Sequence, residues 1–302
     1  MQILGHKQQI DLVLNRITGE RPINSWLFTG PKGIGKATAA KFIATKVLKT
    51  TNIIHPEILI IDSDSIQNKL IPIEKVREVG EFVKLTSTNS GFKIIIIDDI
   101  DSISINAANA LLKVVEEPKT NVFIFLISHN VHKVIKTIKS RCAIIKFLGL
   151  SSDLCTQVLD STPNLPSSNE IIDLMTITDN CPGKVVEFIN TKALDFYYKL
   201  ISIILNNSKI LDIKSLPEIK HETGWFLITR LINICLKLHL NVPVTLTHFE
   251  EENLPKIASN LDKFNLFNLS NEANILLNDL QRINMDYNQV IFLVTKMFER
   301  KQ

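Results

Sequence analysis

The sequence predicts an α/β domain, in which helices cover both faces of a parallel β-sheet, followed by an all-helical part. Two observations predict this architecture. Up to about residue 150, short apolar runs alternate with segments of helical period, as in βαβ units. After about residue 150 the strand-like runs stop and helical periodicity continues. The 302 residues are enough for about two domains.

Five apolar runs in the first half of the chain are the predicted strands. Each has four to six residues, is β-branched or aromatic, and is apolar on both faces. That pattern is typical of strands in a parallel sheet that helices cover on both sides. The predicted strands are 26–29, 58–61, 94–97, 122–127 and 143–147.

Segments of helical period fill the intervals and the rest of the chain. In the first half they are 36–48, 73–85 and 104–116, the last stopped by Pro118. Further on they are 151–160, 169–178, 183–190, 194–205, 223–240, 254–264 and 271–300, with a break near Met285 to Tyr287. The later helices carry broad apolar faces that suit either a core or a partner surface. Their residues are Trp225, Phe226, Leu227, Leu231, Ile232, Ile234, Leu238, Leu276, Leu277, Leu280 and Ile283.

Composition excludes several classes of protein. Hydrophobic residues make up 45% and charged residues 22%, which is ordinary for a globular chain, and a net charge of +3 does not indicate nucleic-acid binding over the whole surface. We find no run of 18 uncharged apolar residues and no secretory signal pattern at the N-terminus. The four cysteines lack CxxC and zinc-finger spacing. We therefore expect a cytoplasmic protein with reduced thiols.

A phosphate-binding loop is predicted between the first strand and the next helix. Three of the ten glycines of the chain, Gly30, Gly33 and Gly35, lie within six residues and precede Lys36. Glycines let backbone N–H groups turn toward phosphate oxygens, the helix N-terminus favours anions, and the lysine adds a positive charge. The alternative interpretation is a glycine-rich turn without a ligand.

The last position of this motif departs from the usual pattern. Ala37 stands where a serine or threonine hydroxyl normally binds Mg²⁺. Thr38 lies about 100° further around the helix, so it does not simply replace that hydroxyl. Nucleotide binding, with Ala37 and Thr38 in the loop, remains compatible with the sequence. Efficient Mg²⁺-dependent hydrolysis is doubtful.

Two carboxylates follow the third predicted strand. Asp98 is placed to orient Mg²⁺ if ATP is bound, and Asp99 stands where many such ATPases have a glutamate that activates water. Aspartate is one methylene shorter than glutamate, so its reach is shorter. The alternative interpretation is an acidic turn that, with Asp101 and Ser102, caps the next helix.

The segments NAANALLKVVEEP, from Asn106 to Pro118, and Ser140-Arg141-Cys142 closely resemble bacterial clamp-loader ATPases. Supporting segments are 26–36, 55–57, 73–77 and 181–184, with a weaker similarity over 282–286. Within that family the chain looks like the delta-prime subunits of DNA polymerase III. The resemblance implies an AAA+ P-loop domain over residues 1–149, a small helical lid over 150–192, and a helical collar for oligomerisation over 193–302.

The resemblance also implies roles for individual residues. Arg141 matches the arginine finger that reaches the ATP site of an adjacent subunit, and Lys184 matches a basic lid residue or is a solvated helix-terminal lysine. Asn130 or His129 follows a strand where the family has a polar residue near the γ-phosphate. As loop residues, His129 and His132 are expected to be solvated. Many relatives have a four-cysteine zinc module, whereas 49–55 contains no cysteine, so zinc is not expected.

The resemblance implies a subunit of a five-membered ring that loads the sliding clamp on primed DNA. Its partners would be the tau/gamma and delta subunits and, through the complex, the clamp and primer-template DNA. The chain would act in DNA replication as a stator, at most a weak ATPase. Polymerisation, a nucleotidyl transfer, would be an activity of the DNA-directed DNA polymerase holoenzyme. Two alternatives stay open: an ATP-hydrolysing motor like tau/gamma, and an adaptor that binds no nucleotide.

Overall fold

The computed structural model describes residues 3–63, 66, 70–85, 91–163, 165–206 and 216–260, and positions 268, 271, 272, 293, 295 and 298. The chain divides into two compact units, Met1–Val158 with Cys181–Gly183 and Leu159–Asn180 with Lys184–Gln302. The expected lid, residues 150–192, therefore contributes to both units. Most of the predicted helix 271–300 lies outside the described residues, as do Leu276, Leu277, Leu280, Ile283 and the similarity over 282–286.

The first unit contains a parallel five-stranded sheet, which confirms the predicted fold class. Its strands are β1 Ser25–Thr29, β2 Ile58–Asp62, β3 Lys93–Asp98, β4 Val122–Ser128 and β5 Ala143–Lys146, and they lie in the order β2-β3-β4-β1-β5. All five predicted strands are present to within one or two residues. Since the strands are parallel, the carboxyl ends of β1, β3 and β4 meet at one edge, where Thr29 pairs with Ser128 and Asp98 pairs with Ile127.

Helices connect these strands and cover the sheet. They are α1 Lys7–Ile17, α2 Lys36–Val47, α3 Ile73–Lys84, α4 Ile105–Glu116, α5 Lys136–Lys139 and α6 Ser152–Leu159, with a 3₁₀ turn at Ile100–Ser102. Helices α2, α3, α4 and α6 match the predicted segments, whereas α1 and the short α5 were not predicted. Ser104 begins α4 as its N-cap, accepting a 3.2 Å hydrogen bond from the Ala107 N–H.

Burial on both faces of the sheet explains why apolar and polar residues do not alternate along the strands. The third strand shows this, because Ile94, Ile95, Ile96 and Ile97 are all fully buried. Ile95 and Ile97 pack in one cluster with residues of α3 and α4, and α2 packs against β3 and β4. The packed layers hold the carboxyl edge of the sheet in place.

The second unit consists of helices in its described part. They are α7 Ser168–Ile177, most of α8 Pro182–Thr191, α9 Ala193–Leu205, α10 His221–His239 and α11 His248–Ser259. The last of these begins six residues before the predicted start at 254, so that boundary was wrong. A capping box made by Thr247 and Glu250 fixes the start, and Pro255 lies inside the helix. The predicted end at 264 lies outside the described residues.

The apolar face predicted on the long helix α10 is mainly core. Leu227, Leu231, Ile232 and Ile234 are buried, whereas Trp225 is half-buried. Core packing therefore accounts for most of this face. Among the described residues, we find no helix long and apolar enough to cross a membrane. All four cysteines are buried, and none of them forms a disulfide.

Candidate functional site

The predicted phosphate loop connects β1 to α2. Gly30, Gly33 and Gly35 have φ angles of +145°, +86° and +100°, which L side chains rarely adopt. A Cβ at Gly30 would lie 2.2 Å from the carbonyl oxygen of Phe147, whereas a Cβ at Gly35 would meet nothing within 4 Å. The first position therefore needs glycine because another backbone segment lies against it. The last needs glycine for its conformation.

The lysine of the loop is the first residue of α2 and is 3% exposed. Its Nζ donates 2.6 Å hydrogen bonds to the carbonyl oxygens of Gly30 and Pro31. Burial lowers the pKa of Lys36 to about 8, and the nearby carboxylate of Asp98 partly offsets that effect. The ammonium group thus closes the loop on itself and lies near the acidic end of β3.

The first turn of α2 offers hydrogen-bond donors that suit a nucleotide phosphate. The N–H groups of Lys36, Ala37 and Thr38 lie in the first turn of the helix, where they have no carbonyl partner within the helix. The glycines of the loop have no side chains that would cover its backbone. These donors fit a phosphate group. Ala37 offers no oxygen for a metal ion, and Thr38 is exposed. The donors for phosphate are therefore present, whereas the usual hydroxyl ligand of Mg²⁺ is not.

Two further segments of the first unit contact the phosphate loop. His6 Nε2 lies 2.9 Å from the carbonyl oxygen of Ile34, and the His6 ring packs edge-on against Phe147. Burial lowers the pKa of His6. The Gly183 N–H donates a 3.0 Å hydrogen bond to the Gly33 carbonyl. Sequence reasoning missed both contacts, because each joins residues that are far apart in the chain.

A cavity of about 650 Å³ lies beside His6 in the first unit. It is lined by the N-terminal segment with Gly5 and His6, by Phe42 of α2, and by Leu150 and Leu154. Its volume is within the range of small-molecule sites. It borders the phosphate loop through His6, which contacts Ile34.

The two aspartates after β3 differ in their surroundings. Burial and the charge of Asp62 raise the pKa of Asp98, and Lys41 and Lys36 partly oppose this shift. Asp99 has a left-handed φ of +67°, and its Oδ2 accepts hydrogen bonds from the hydroxyls of Ser102 at 2.6 Å and Ser63 at 3.3 Å. The Asp99 carboxylate is thus already engaged in the turn before the 3₁₀ helix, in the arrangement of an acidic turn.

Asp101 fixes the segment that follows β4. Its Oδ1 accepts a 2.7 Å hydrogen bond from the Ser128 hydroxyl, and its Oδ2 accepts hydrogen bonds from the N–H groups of His129 at 2.6 Å and Asn130 at 2.7 Å. The sequence suggested this aspartate only as part of the acidic turn. No local pattern reveals the contact, because its partners are 27 to 29 residues away.

His129 is not the solvated loop residue that was expected. Its Nδ1 is buried and, among the described residues, has no hydrogen-bond partner. Burial, together with the charges of Lys36 and Lys32, lowers the pKa of His129 to about 4, and the charges of Asp99 and Asp101 oppose this shift. The residue is half-buried at the end of β4, which explains the difference.

The neighbouring polar residues lie on the surface. Asn130 is exposed, and its Oδ1 accepts a 3.1 Å hydrogen bond from the N–H of His132, which is also exposed. The side chain of Asn130 therefore stabilises a local turn at the end of β4.

Arg141 lies on the surface just after α5. Its side chain is 38% exposed, and Nη2 lies 2.8 Å from Oε1 of Glu116. Nη1 donates to the Thr137 carbonyl at 3.1 Å and to the Ser140 hydroxyl at 3.3 Å. The guanidinium is thus held by exposed groups of the surface.

Lys184 lies against aromatic rings of the second unit. Its Nζ lies 3.1 Å from the ring centroid of Phe226 and 5.8 Å from that of Phe188. The side chain is half-buried, so it is not simply solvated. Cation–π attraction accounts for this position.

Comparisons with known proteins show similarity to subunits of DNA polymerase III. Residues 5–151 match the family model described as DNA polymerase III, delta subunit. The DNA polymerase III subunit gamma of Buchnera aphidicola (subspecies Schizaphis graminum) is 26% identical over 249 residues, which are 76% of this chain and 66% of that protein. The subunit delta' of Pseudomonas aeruginosa is 32% identical over 136 residues, 39% of this chain and 41% of that protein. The matches therefore span two thirds or less of these relatives.

A solved structure agrees on the fold. It is that of a gamma-subunit-related protein of DNA polymerase III from Thermotoga maritima, and it has a TM-score of 0.50 and 14% identity. The match covers 97% of this chain and 100% of that one. The fold is thus of the AAA+ type. The residues that match the family model, 5–151, include the phosphate loop, the strand ends and Arg141. By these residues, the first unit is similar to the clamp-loader subunits of DNA polymerase III.

Proposed function

We propose that the chain is a delta-prime-like clamp-loader subunit that acts in the cytoplasm as a stator. It donates Arg141 in trans to the ATP site of a neighbouring tau/gamma subunit. Its other partners are the delta subunit and, through the complex, the sliding clamp and primer-template DNA. ATP-driven loading of the clamp is an activity of the ring, and polymerisation is an activity of the holoenzyme.

The exposed position of Arg141 is the observation that carries this proposal. The guanidinium follows α5 on the surface and is held by Glu116, Thr137 and Ser140. An arginine supplied in trans must be accessible and must be able to exchange its partners for phosphate oxygens. It then stabilises charge on the phosphoryl group that is transferred.

The chain's own nucleotide site supports the stator role. Ala37 supplies no hydroxyl for Mg²⁺, and Asp99 is both short and engaged by Ser102 and Ser63. The Lys36 ammonium is bound to carbonyl oxygens of its own loop. These features favour weak binding of ATP, through the loop glycines and Thr38, with little hydrolysis. Asp98 and Asn130 are proposed to bind at the same site.

A reconstituted ring tests the arginine. We would measure ATP hydrolysis, stimulated by DNA and clamp, with tau, delta and either the wild-type chain or Arg141→Ala. Lys136→Ala is the matched control, since Lys136 is an exposed cation of the adjacent short helix. Turnover at the neighbouring site should fall by about 10³-fold or more with Arg141→Ala, while the control retains it.

The outcome is interpretable only in assembled rings, so size-exclusion chromatography must show equal assembly for all three. A normal rate with Arg141→Ala in an intact ring would remove the arginine-finger role. The chain would then be an adaptor.

A second candidate function is an ATP-hydrolysing motor, and the match to a gamma subunit over 76% of this chain favours it. Ala37→Thr distinguishes the two. A large rise in hydrolysis by the isolated chain indicates that the native site lacks a needed hydroxyl. The chain is a motor if the isolated wild type hydrolyses ATP at a substantial rate, Lys36→Ala abolishes that rate, and Ala37→Thr leaves it unchanged. Thermal shift with ATP tests the adaptor alternative, because a bound ligand raises the melting temperature.

A further inference from the structure

Two carbonyl groups in the middle of the phosphate loop are held by donors from outside the loop. His6 Nε2 lies 2.9 Å from the carbonyl oxygen of Ile34, and the Gly183 N–H donates a 3.0 Å hydrogen bond to the carbonyl of Gly33. The two carbonyls belong to successive peptide units. Distant segments of the first unit therefore fix how the backbone of the loop is turned.

The direction of a carbonyl decides the direction of the next N–H group. In a trans peptide unit the C=O of one residue and the N–H of the next point to opposite sides. The Ile34 carbonyl is turned toward His6, so the Gly35 N–H is turned away from His6. Backbone N–H groups of a glycine-rich loop are the donors that bind phosphate. The contact with His6 thus orients one of these donors, next to those of the first turn of α2.

The His6 side chain is itself held in place. Its backbone carbonyl accepts a 3.0 Å hydrogen bond from the Ile10 N–H at the start of α1. Its ring packs edge-on against Phe147, with the ring centroids 4.8 Å apart, and Phe147 is fully buried. Since both the backbone and the ring are held, the imidazole is a rigid donor to the loop.

A neutral imidazole donates from only one of its nitrogens. Burial lowers the pKa of His6, so the ring is neutral near pH 7. Because the Ile34 carbonyl can only accept, Nε2 carries the proton. A phenyl ring at this position would keep the packing against Phe147 but would supply no donor. Substitution by phenylalanine therefore separates a donor role from a packing role.

We propose that His6 is a positioning residue of the phosphate loop, holding the Ile34 carbonyl so that the Gly35 N–H stays turned toward a bound phosphate. It acts through the backbone of the loop and does not touch the phosphate. The proposal rests on the proposed function only in taking the loop as a phosphate-binding site. Without the Nε2 donor this peptide unit can rotate, and restoring its orientation on binding then costs free energy.

Calorimetry of the full chain with magnesium-free tripolyphosphate tests the donor. His6→Phe removes it and keeps an aromatic ring against Phe147, whereas His6→Gln retains an N–H group that can reach Ile34. His132→Phe is the matched control, because His132 is an exposed histidine of the same unit. Circular dichroism of each variant shows whether it is folded under the conditions of the titration.

We expect His6→Phe to weaken tripolyphosphate binding about fivefold to tenfold, because a hydrogen bond that orients a phosphate donor is lost. His6→Gln and His132→Phe should bind within about twofold of the wild type, since both keep a donor to Ile34. A folded His6→Phe that binds like the wild type, or His6→Gln as weak as His6→Phe, would overturn the proposal. A wild type that binds no tripolyphosphate would overturn it too, while the Arg141 experiment in the ring would still stand.

Nuclear magnetic resonance on the wild type decides the matter if His6→Phe does not fold. Long-range nitrogen–proton spectra show which nitrogen of a neutral imidazole carries the proton. The chain has seven histidines, and single His→Gln variants of the others assign the His6 signals. The proton should be on Nε2, and the amide proton of Gly35 should move downfield when tripolyphosphate is added. A proton on Nδ1, or an unchanged Gly35 amide, contradicts the proposal.

Discussion

The guanidinium of Arg141 lies 2.8 Å from Oε1 of Glu116, the last residue of α4. The two side chains are 38% and 42% exposed, and 24 positions of sequence separate the two residues. Exposed ion pairs contribute about 0–1 kcal/mol. The pair is therefore weak, and under the proposed function an exchange of the Glu116 carboxylate for a phosphate would cost little.

Glu116→Gln should leave the ring active. Removing the carboxylate charge frees the guanidinium, and a pair worth at most about 1 kcal/mol corresponds to about a fivefold effect on rate. We expect ATP hydrolysis by the reconstituted ring to rise by at most that factor. The control is Glu117→Gln, an exposed neighbour. A loss as large as that with Arg141→Ala would mean that Glu116 positions the arginine for catalysis.

The two end glycines of the phosphate loop should differ in their tolerance of alanine. A methyl at Gly30 would lie 2.2 Å from the Phe147 carbonyl, so a backbone segment must move. At Gly35 the space is open and only the φ of +100° opposes a side chain, which costs about 1–3 kcal/mol. Gly30→Ala should therefore destabilise the first unit well beyond Gly35→Ala.

Tryptophan fluorescence can follow this unit alone. The chain has two tryptophans, Trp26 in β1 and Trp225 in α10, so Trp225→Phe leaves a reporter in the first unit. Gly80→Ala in α3 is the control, because its Cβ meets nothing and alanine favours helix by about 1 kcal/mol. Equal midpoints of urea unfolding for Gly30→Ala and Gly35→Ala would contradict the assigned clash.

Local sequence patterns predicted the strands and the glycine-rich turn before Lys36, because buried runs such as 94–97 and closely spaced glycines constrain the nearby backbone. They did not reveal the contacts of Asp101 with Ser128 or of His6 with Ile34, because these form only when distant segments pack together. The burial of His129 has the same origin. The predicted start of α11 at 254 was wrong. The capping box of Thr247 and Glu250 begins the helix at His248, and Pro255 lies inside it.

Asp101→Asn should loosen the end of β4. The amide can still accept from the N–H groups of His129 and Asn130 through its oxygen, with its NH₂ group turned to the Ser128 hydroxyl, but these hydrogen bonds lose the negative charge of the carboxylate. Losing this charge assistance costs about 1–3 kcal/mol. Urea unfolding followed through Trp26, in the Trp225→Phe background, measures the loss. Asp153→Asn, on the exposed surface of α6, is the control, and an equal effect of the two would contradict the role of Asp101.

The second unit contains a buried ion pair. Substitution of one of its residues should destabilise this unit far more than substitution in an exposed pair. Glu250 is fully buried, and its carboxylate accepts hydrogen bonds from Arg230 Nε at 2.8 Å and Nη2 at 2.9 Å. The Tyr197 hydroxyl and the Thr247 N–H each donate to it at 2.8 Å. Glu250→Gln leaves the guanidinium of Arg230 uncompensated, which should cost about 3–5 kcal/mol.

Unfolding followed through Trp225 in a Trp26→Phe background measures this cost in the second unit. The control is Asp195→Asn in α9, whose pair with Lys199 is about half-exposed and should contribute less than about 1 kcal/mol. The double variant Arg230→Met with Glu250→Leu separates the two reasons for a large loss. If the loss comes from an unpaired buried charge, the double variant should be more stable than Glu250→Gln. If the network itself supplies the stability, the double variant should be the least stable, and the assigned cause is wrong.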